Sequence, residues 1–367
     1  MIIKREIWRH FDYWLFGAVI VLSIFGVAMI QSAVAGNEEL AGYVNRQLTF
    51  LAIGMVVMIA TAIIDYHYWA SVTKVLYGIT FILLIVVFVS SQARFGAARW
   101  IETGLVNIQP SELAKVVLIL VLADFFARSQ HEPHDLKWII KSLLIVGGLG
   151  VWVILQPNLS TTIVLAVIWL IMIWIAGLNP KFLFFMLLIG VFAGIAAFPF
   201  LEPYQQQRII TFVLPDPNAT YGNTYNVEQA LISIGSGGLL GQGYGHGSQV
   251  QLRFLKVRHT DFIFSAMAEE FGFIGTVIII ALLIFVIIRC LRAGNLAHDS
   301  FGALIAYSFG MLMFFQAAVN MGVNLKVIPV TGLTLPFISY GGSSLLSMLL
   351  GVGLVESVVL RQKPLEF

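Results

Sequence analysis

Ten apolar segments succeed one another along this 367-residue chain, at about 13–31, 48–64, 75–90, 111–127, 139–156, 161–177, 182–200, 262–289, 301–325 and 337–360. Most match the roughly 17–25 residues that an α-helix needs to cross a bilayer. The segment at 262–289 is long enough to tilt or protrude. Between them only 11% of all residues are charged, against roughly 25% in an ordinary soluble domain. That scarcity excludes a cytosolic enzyme and a disordered chain. The apolar residues are too dense for a barrel whose strands alternate between lipid and lumen. The expected fold is an all-α polytopic membrane protein of about ten transmembrane helices, a single integral domain over 1–367. Its large loop, 201–261, lies between the seventh and eighth spans.

The first segment has a basic start (Lys4, Arg5, Arg9) and ends near Ala33-Val34-Ala35, as a signal peptide would. Its apolar run is too long for one and more spans follow, so it reads as a retained anchor. Orientation follows from Lys and Arg in the short connections. Twelve (Lys4, Arg5, Arg9, Lys74, Arg128, Lys137, Lys141, Lys181, Arg289, Arg292, Arg361, Lys363) fall on one side; four (Arg46, Arg94, Arg99, Lys326) fall on the other. Both termini are then expected in the cytoplasm and the long loop outside. Net charge is +2 and there is one cysteine, Cys290. Nothing suggests a nucleic-acid partner, and neither an internal disulfide nor a cysteine-rich metal site can form. His131 and His134 read as loop residues, and Asp124 and Glu356 as helix-end groups that reach water or a cation.

The remaining polar groups concentrate on the expected external face. Gln109-Pro110-Ser111-Glu112 opens the fourth span, with Ser111 as a candidate cap. Glu112 and Lys115, three residues apart, share a helix face. A mutual salt bridge and a charged cavity wall are both open readings, and they are compatible. Tyr225–Ile234 predicts a short amphipathic helix with Val227, Ala230, Leu231 and Ile234 on one side. The glycine-rich run Gly235–Gly247 has two readings: a flexible loop, or backbone N–H groups offered to phosphate. Asp261 sits at the membrane edge of the eighth span, with Ser265 and Glu269 at i+4 and i+8 and a basic mouth of Arg253, Lys256 and Arg258. It reads either as a helix cap or as an ionised carboxylate able to act as a base. Pro329 through Ser344 is broken by prolines and glycines, so it is expected to fold back over a polar cavity rather than face lipid.

Taken in order, these motifs resemble one family. Arg99-Trp100-Ile101 with Gln109–Glu112 and Lys115; Gln156-Pro157 with Thr161; Gly235–Gly238 with His259–Phe264 and Glu269-Glu270; and Pro329–Ser344 resemble the shape, elongation, division and sporulation proteins, the RodA and FtsW group. Val330-Thr331-Gly332 is more similar to the RodA branch. The resemblance implies ten spans in the bacterial cytoplasmic membrane. It implies a peptidoglycan glycosyltransferase that polymerises lipid II into glycan strands outside, and a class B penicillin-binding protein as partner. It places Asp261 on the family's essential aspartate, and Trp100, Glu112, Lys115 and Arg208 around its cavity. The other substrate-contact candidates in these motifs are Arg99, Ser111, Thr161, His259, Thr260, Glu269 and Ser343. Four positions depart from the family pattern: Asn158 for Asp, Ser160 for Gly, Lys256 for Pro and Lys326 for Gly. Lys256 and Lys326 are expected on the diphosphate, where a divalent cation (Mg or Mn) can share the task. A lipid II flippase and a non-catalytic scaffold are the rival readings. An external enzyme concentrates its polar groups on one face, whereas a transporter needs them at both faces and the midplane.

Overall fold

The computed structural model describes residues 10–36, 40, 42–93, 100–102, 107–215 and 222–362. All ten apolar segments are helices: α1 Tyr13–Val34, α2 Gly42–Ile63, α3 Tyr66–Ala93, α4 Pro110–Arg128, α5 Leu136–Leu155, α6 Leu159–Ile175, α7 Pro180–Ala197, α11 Ile263–Leu296, α12 Ser300–Asn324 and α13 Gly342–Val359. Eight are long and apolar enough to cross a membrane. The other two are α4, which carries Glu112, Lys115, Asp124 and Arg128, and α6, which has 17 residues. The long loop is largely helical, with α8 Pro203–Val213, α9 Gly222–Ser236 and α10 Ser248–Gln251. Among the described residues the only strands are a two-residue antiparallel pair, Ile101–Glu102 with Asn107–Ile108, just before α4.

Local chemistry sets the helix starts. Asp12, Asp135, Asn158, Asn179 and Asp299 each precede a helix and accept a hydrogen bond from a backbone N–H of its first turn, satisfying one otherwise orphaned donor. Pro110 and Pro180 occupy first-turn positions, where their missing N–H costs nothing. Ser111 is not the cap of α4. The cap position is Gln109, and Ser111 is buried inside the first turn, where its Oγ accepts from Asn158 Nδ2 at 3.4 Å.

Helices α12 and α13 lie at the centre, packed on α2, α4, α6 and α11, and are mostly buried. Helix α7 buries no residue, and Phe182, Phe185, Ile189 and Phe192 on it are exposed. Such a helix is stable only in an apolar solvent. One end of the bundle is tied by Arg289 on Asp12, Arg361 on Asp65 at 3.2 Å, and Arg128 on Asp124 at 2.7 Å. Glu356, at this end, does not reach water; it is wholly buried and accepts from the Asp12 N–H at 3.2 Å.

The glycine-rich run closes the other end. Helix α11 breaks at Gly272, whose φ is 65°, and the freed backbone groups pair with the loop. Gln242 N–H donates to Glu269 O and Gly243 N–H to Glu270 O, both at 2.9 Å. In return Phe273 N–H donates to Gly238 O at 2.8 Å and Ile274 N–H to Leu239 O at 3.1 Å. These N–H groups are therefore spent on the chain and not offered to phosphate. The approach is close enough that a Cβ on Gly241 would lie 2.2 Å from Glu270 O, whereas one on Gly235 meets nothing within 4 Å. Gly241→Val is expected to cost about 3 kcal/mol or more through overpacking, read as a lowered unfolding temperature in detergent. Gly235→Ala should leave that temperature unchanged.

Candidate functional site

At the glycine-loop end, the starts of α4, α6 and α13, the end of α12 and the residues before α11 surround a cavity of about 390 Å³. Its roof is the chain between α12 and α13. Val330 through Thr334 line it, and side chains satisfy their carbonyls. Arg208 Nη1 donates to Thr331 O at 3.3 Å and Val330 O at 3.5 Å, Ser160 Oγ donates to Thr331 O, and Asn320 Nδ2 to Leu333 O at 2.8 Å. The irregular segment thus folds over a polar cavity, as its prolines and glycines predict.

Asp261 is held by its main chain. Its carbonyl accepts from Asn320 Nδ2 at 3.1 Å and from Asn324 Nδ2 at 2.9 Å. Asn324 Oδ1 in turn accepts from Ser265 N–H and Oγ in the first turn of α11. Ser339 Oγ donates to Thr260 O and Tyr340 N–H to His259 O, both at 2.8 Å. The carboxylate is therefore left to the cavity, and it makes no cap to α11, whose cap position is Phe262. A Cβ on Gly332 would lie 3.9 Å from Asp261 Oδ2 and 4.0 Å from Arg208 Nη1, so the acid and the cation meet at one glycine. Gly332 has φ +82°, a left-handed conformation that suits glycine. Burial lifts the Asp261 carboxyl to about 6, with the Arg208 guanidinium pulling the other way. The ionised form still leads by about tenfold at pH 7, as a general base requires.

Six of the candidate residues line the cavity: Trp100, Glu112, Thr161, Arg208, Thr260 and Asp261. Others stand behind the wall. Lys115 Nζ lies 2.7 Å from Glu112 Oε2, Ser111 touches Asn158, and Ser343 Oγ accepts from the Gln109 N–H at 2.9 Å. His259 packs against Tyr43 and Tyr340, and burial with the nearby Arg258 lowers it to about 4, so it is neutral at pH 7. Glu269, Lys256 and Lys326 do not line the cavity. Glu269 is buried under the glycine loop, where Oε1 accepts from Gln249 N–H at 2.8 Å. Lys256 is exposed, and Lys326 faces Glu228 at 3.9 Å. Lys326 has φ +57°, which accounts for the glycine usual there. Arg99 lies outside the described residues. Asn158 lines the cavity as the α6 cap, a role that asparagine fills as well as aspartate. Helix α9 forms as predicted and buries Val227 and Ala230, whereas Leu231 is exposed.

Sequence reasoning missed Gln316, Asn320 and Asn324. The signal was available: three amides four residues apart on one face of an otherwise apolar helix. It also missed Tyr204 and Gln205, which reach Pro157 O from α8.

A model of the FtsW/RodA/SpoVE cell cycle protein family matches residues 6–363. The chain belongs to this family. Among curated members of the family, it is 34% identical over 365 residues to the peptidoglycan glycosyltransferase MrdB of Escherichia coli, covering 99% of this chain and 97% of that one. It is 35% identical over 368 residues to the probable peptidoglycan glycosyltransferase FtsW of Hydrogenovibrio crunogenus, covering 97% and 93%. The solved rod shape determining protein RodA of Thermus thermophilus superposes with a TM-score of 0.72 at 28% identity, over 97% of this chain and 99% of that one. A chain of a peptidoglycan synthase complex, described for its coordination of polymerization and crosslinking, superposes with a TM-score of 0.80 at 27% identity, over 96% and 99%. Among the described residues, no three His, Cys, Asp or Glu side chains come together to hold a metal ion. Glu112 is taken up by Lys115.

Proposed function

We propose that this family member is a peptidoglycan glycosyltransferase that polymerises lipid II into glycan strands at the external face of the bacterial cytoplasmic membrane. The observation that carries this reading is Asp261: its carboxylate is directed to a polar cavity, its backbone is fixed by two asparagines, and Arg208 stands beside it. Sidedness supports the reading. Arg128, Lys137, Lys141, Lys181, Arg289, Arg292 and Arg361 lie towards the helix ends away from the cavity, which supports an external cavity.

The chemistry matches these groups. A sugar hydroxyl attacks the anomeric carbon of the donor, the bond from that carbon to the diphosphate oxygen breaks, and the hydroxyl proton passes to Asp261. A single displacement inverts an α-linked donor to a β-linked product. The lipid diphosphate departs without protonation and needs a cation, which Arg208 supplies. This differs from glycoside hydrolysis, where a second carboxyl must protonate an alcohol. A divalent cation at this site would have the Asp261 carboxylate, diphosphate oxygens and water as ligands. Cross-linking of the strands falls to a class B penicillin-binding protein bound alongside.

The test is purified protein in lipid, with and without its transpeptidase partner and divalent cations, given lipid II. Glycan strands on a gel support the enzyme. Transfer of lipid II across vesicles without any polymer under every condition would favour a flippase. If Asp261 is the base, the rate rises about tenfold per pH unit below pH 6 and levels off above it. Arg208→Gln removes the cation that lowers the Asp261 pKa, so it should move that limb to higher pH as well as slow the reaction. Initial rates between about pH 5 and pH 8 check both.

A further inference from the structure

The end of the bundle opposite Asp261, which the basic residues place in the cytoplasm, holds a second cavity of about 310 Å³. It lies between the residues that open α1, the last turns of α11 and the end of α13, and it shares no residue with the cavity at Asp261. Two arginines three residues apart on one face of α11, Arg289 and Arg292, line it. Arg289 sets Nε and Nη2 on Asp12 Oδ2, the first at 2.6 Å, and leaves Nη1 unspent. Asp12 is thereby filled, since its Oδ1 accepts from the Leu15 N–H at 3.0 Å. Arg292 is exposed and, among the described residues, makes no ion pair or hydrogen bond. Asp12 is the only acid lining the cavity among the described residues. With Asp12 set against Arg289, one whole positive charge and a surplus of donors remain.

An acceptor-rich anion completes such a set, and a phosphate does so with charge-assisted bonds. The walls narrow the choice. Phe11, Ala293, Leu296 and Val359 make them partly apolar. Tyr13 and Trp14 also line the cavity and are 62% and 74% exposed, and such rings favour the headgroup level of a bilayer. A freely soluble anion gains nothing from these surfaces, whereas a phosphodiester on a glycerol does. A zwitterionic headgroup would bring an ammonium, for which no uncommitted carboxylate stands ready. Acidic lipids give the cytoplasmic leaflet its negative potential, and basic pockets between helices on that side suit their headgroups.

We propose that this cavity binds the phosphate of an acidic phospholipid of the cytoplasmic leaflet, with Arg292 and the free edge of Arg289 as its donors. The site joins α1, α11 and α13, so the bound lipid braces three helices at the end away from the chemistry. An arginine near a helix C-terminus also suits the helix dipole and sets orientation. Any exposed cation fills those two roles, and neither makes one cavity selective for a lipid.

The test places the protein in phosphatidylcholine nanodiscs in which phosphatidylglycerol replaces a rising fraction of the lipid. Salt is held at about 0.5 M, where the diffuse attraction between the leaflet and exposed charges is screened. The readout is the unfolding temperature, which a ligand of the folded form raises. For the native protein it should rise with the acidic fraction and saturate. Arg292→Gln should need about tenfold more acidic lipid for the same rise. In phosphatidylcholine alone it should unfold as the native protein does, because its guanidinium has no partner to lose. Gln362→Glu, which adds an acid to the cavity lining, should weaken the response likewise, and it decides the matter where the first variant does not accumulate. Lys141→Gln, an equal loss of charge at an exposed position of α5 outside the cavity, should respond as the native protein does. Absence of a saturating rise, or an unchanged response in the cavity variants, overturns the proposal. An equal loss in Lys141→Gln also overturns it, by assigning the effect to the basic end as a whole. Glycerol 1-phosphate added to pure phosphatidylcholine nanodiscs should leave the temperature unmoved; a full rise with it would give the site to a soluble phosphate instead of a lipid.

Discussion

Asp261→Asn is expected to lower glycan polymerisation by about 10³-fold, the range lost when a positioned general base is removed, while the protein still folds and still binds lipid II. The structure separates these outcomes. Asn320 and Asn324 grip the Asp261 carbonyl, which asparagine retains, so the backbone and the cavity persist. Burial already disfavours the charged carboxylate. A neutral amide of the same shape removes that cost, so the unfolding temperature should hold or rise. Asp261→Glu should be nearly as inactive, because an added methylene moves the oxygens by over an ångström within a wall fixed by Gly332 and Arg208. The measurement pairs strand formation with thermal unfolding of each variant. Near-native polymerisation by Asp261→Asn would remove the base from the scheme. An inactive variant that has also unfolded would say nothing of chemistry, which is why the second readout belongs to the test.

Much of this was legible in the chain. The ten helices announce themselves because lipid demands an uninterrupted apolar length with satisfied backbone, and that demand is local. The roof over the cavity was equally plain from its prolines and glycines. The errors have one cause, which is reliance on neighbours in sequence. Placing Glu269 on the face of Asp261 by counting assumes that α11 already runs through Asp261, but the helix begins at Ile263. Glu269 turns instead to the loop at Ser248 and Gln249. Of the two readings of the glycine run, a flexible loop or a phosphate cradle, neither foresaw its real partner, the break at Gly272, because that lies some thirty residues on. Lys326 looked like an added cation for the substrate, yet its nearest acid is Glu228 on α9. The amide ladder of α12 was a periodic signal that charge-centred reading passes over, since amides carry no charge and sit well inside an apolar helix.

Lys115→Met is expected to have the largest effect on stability, about 3–5 kcal/mol, because it leaves a carboxylate in a buried wall without its cation. Lys115 is 1% exposed and its Nζ meets Glu112 Oε2 at 2.7 Å; Ser347 Oγ from α13 adds a bond at 3.3 Å. Pairing the change with Glu112→Gln removes both charges. Replacing a whole buried ion pair by neutral groups is often close to neutral, so the double variant should regain most of the lost unfolding temperature. The coupling between the two sites should amount to several kcal/mol, as befits residues in direct contact. Activity is expected to part company with stability. Glu112 lines the cavity whereas Lys115 does not, so the pair presents its acid to the substrate and hides its base. An arrangement serving packing alone has no reason to point in that direction, since neutral side chains would hold α4 equally well. The stable double variant should therefore remain poor at making strands. Full polymerisation by that variant would reduce the pair to architecture and leave Asp261 and Arg208 as the only charges the reaction uses.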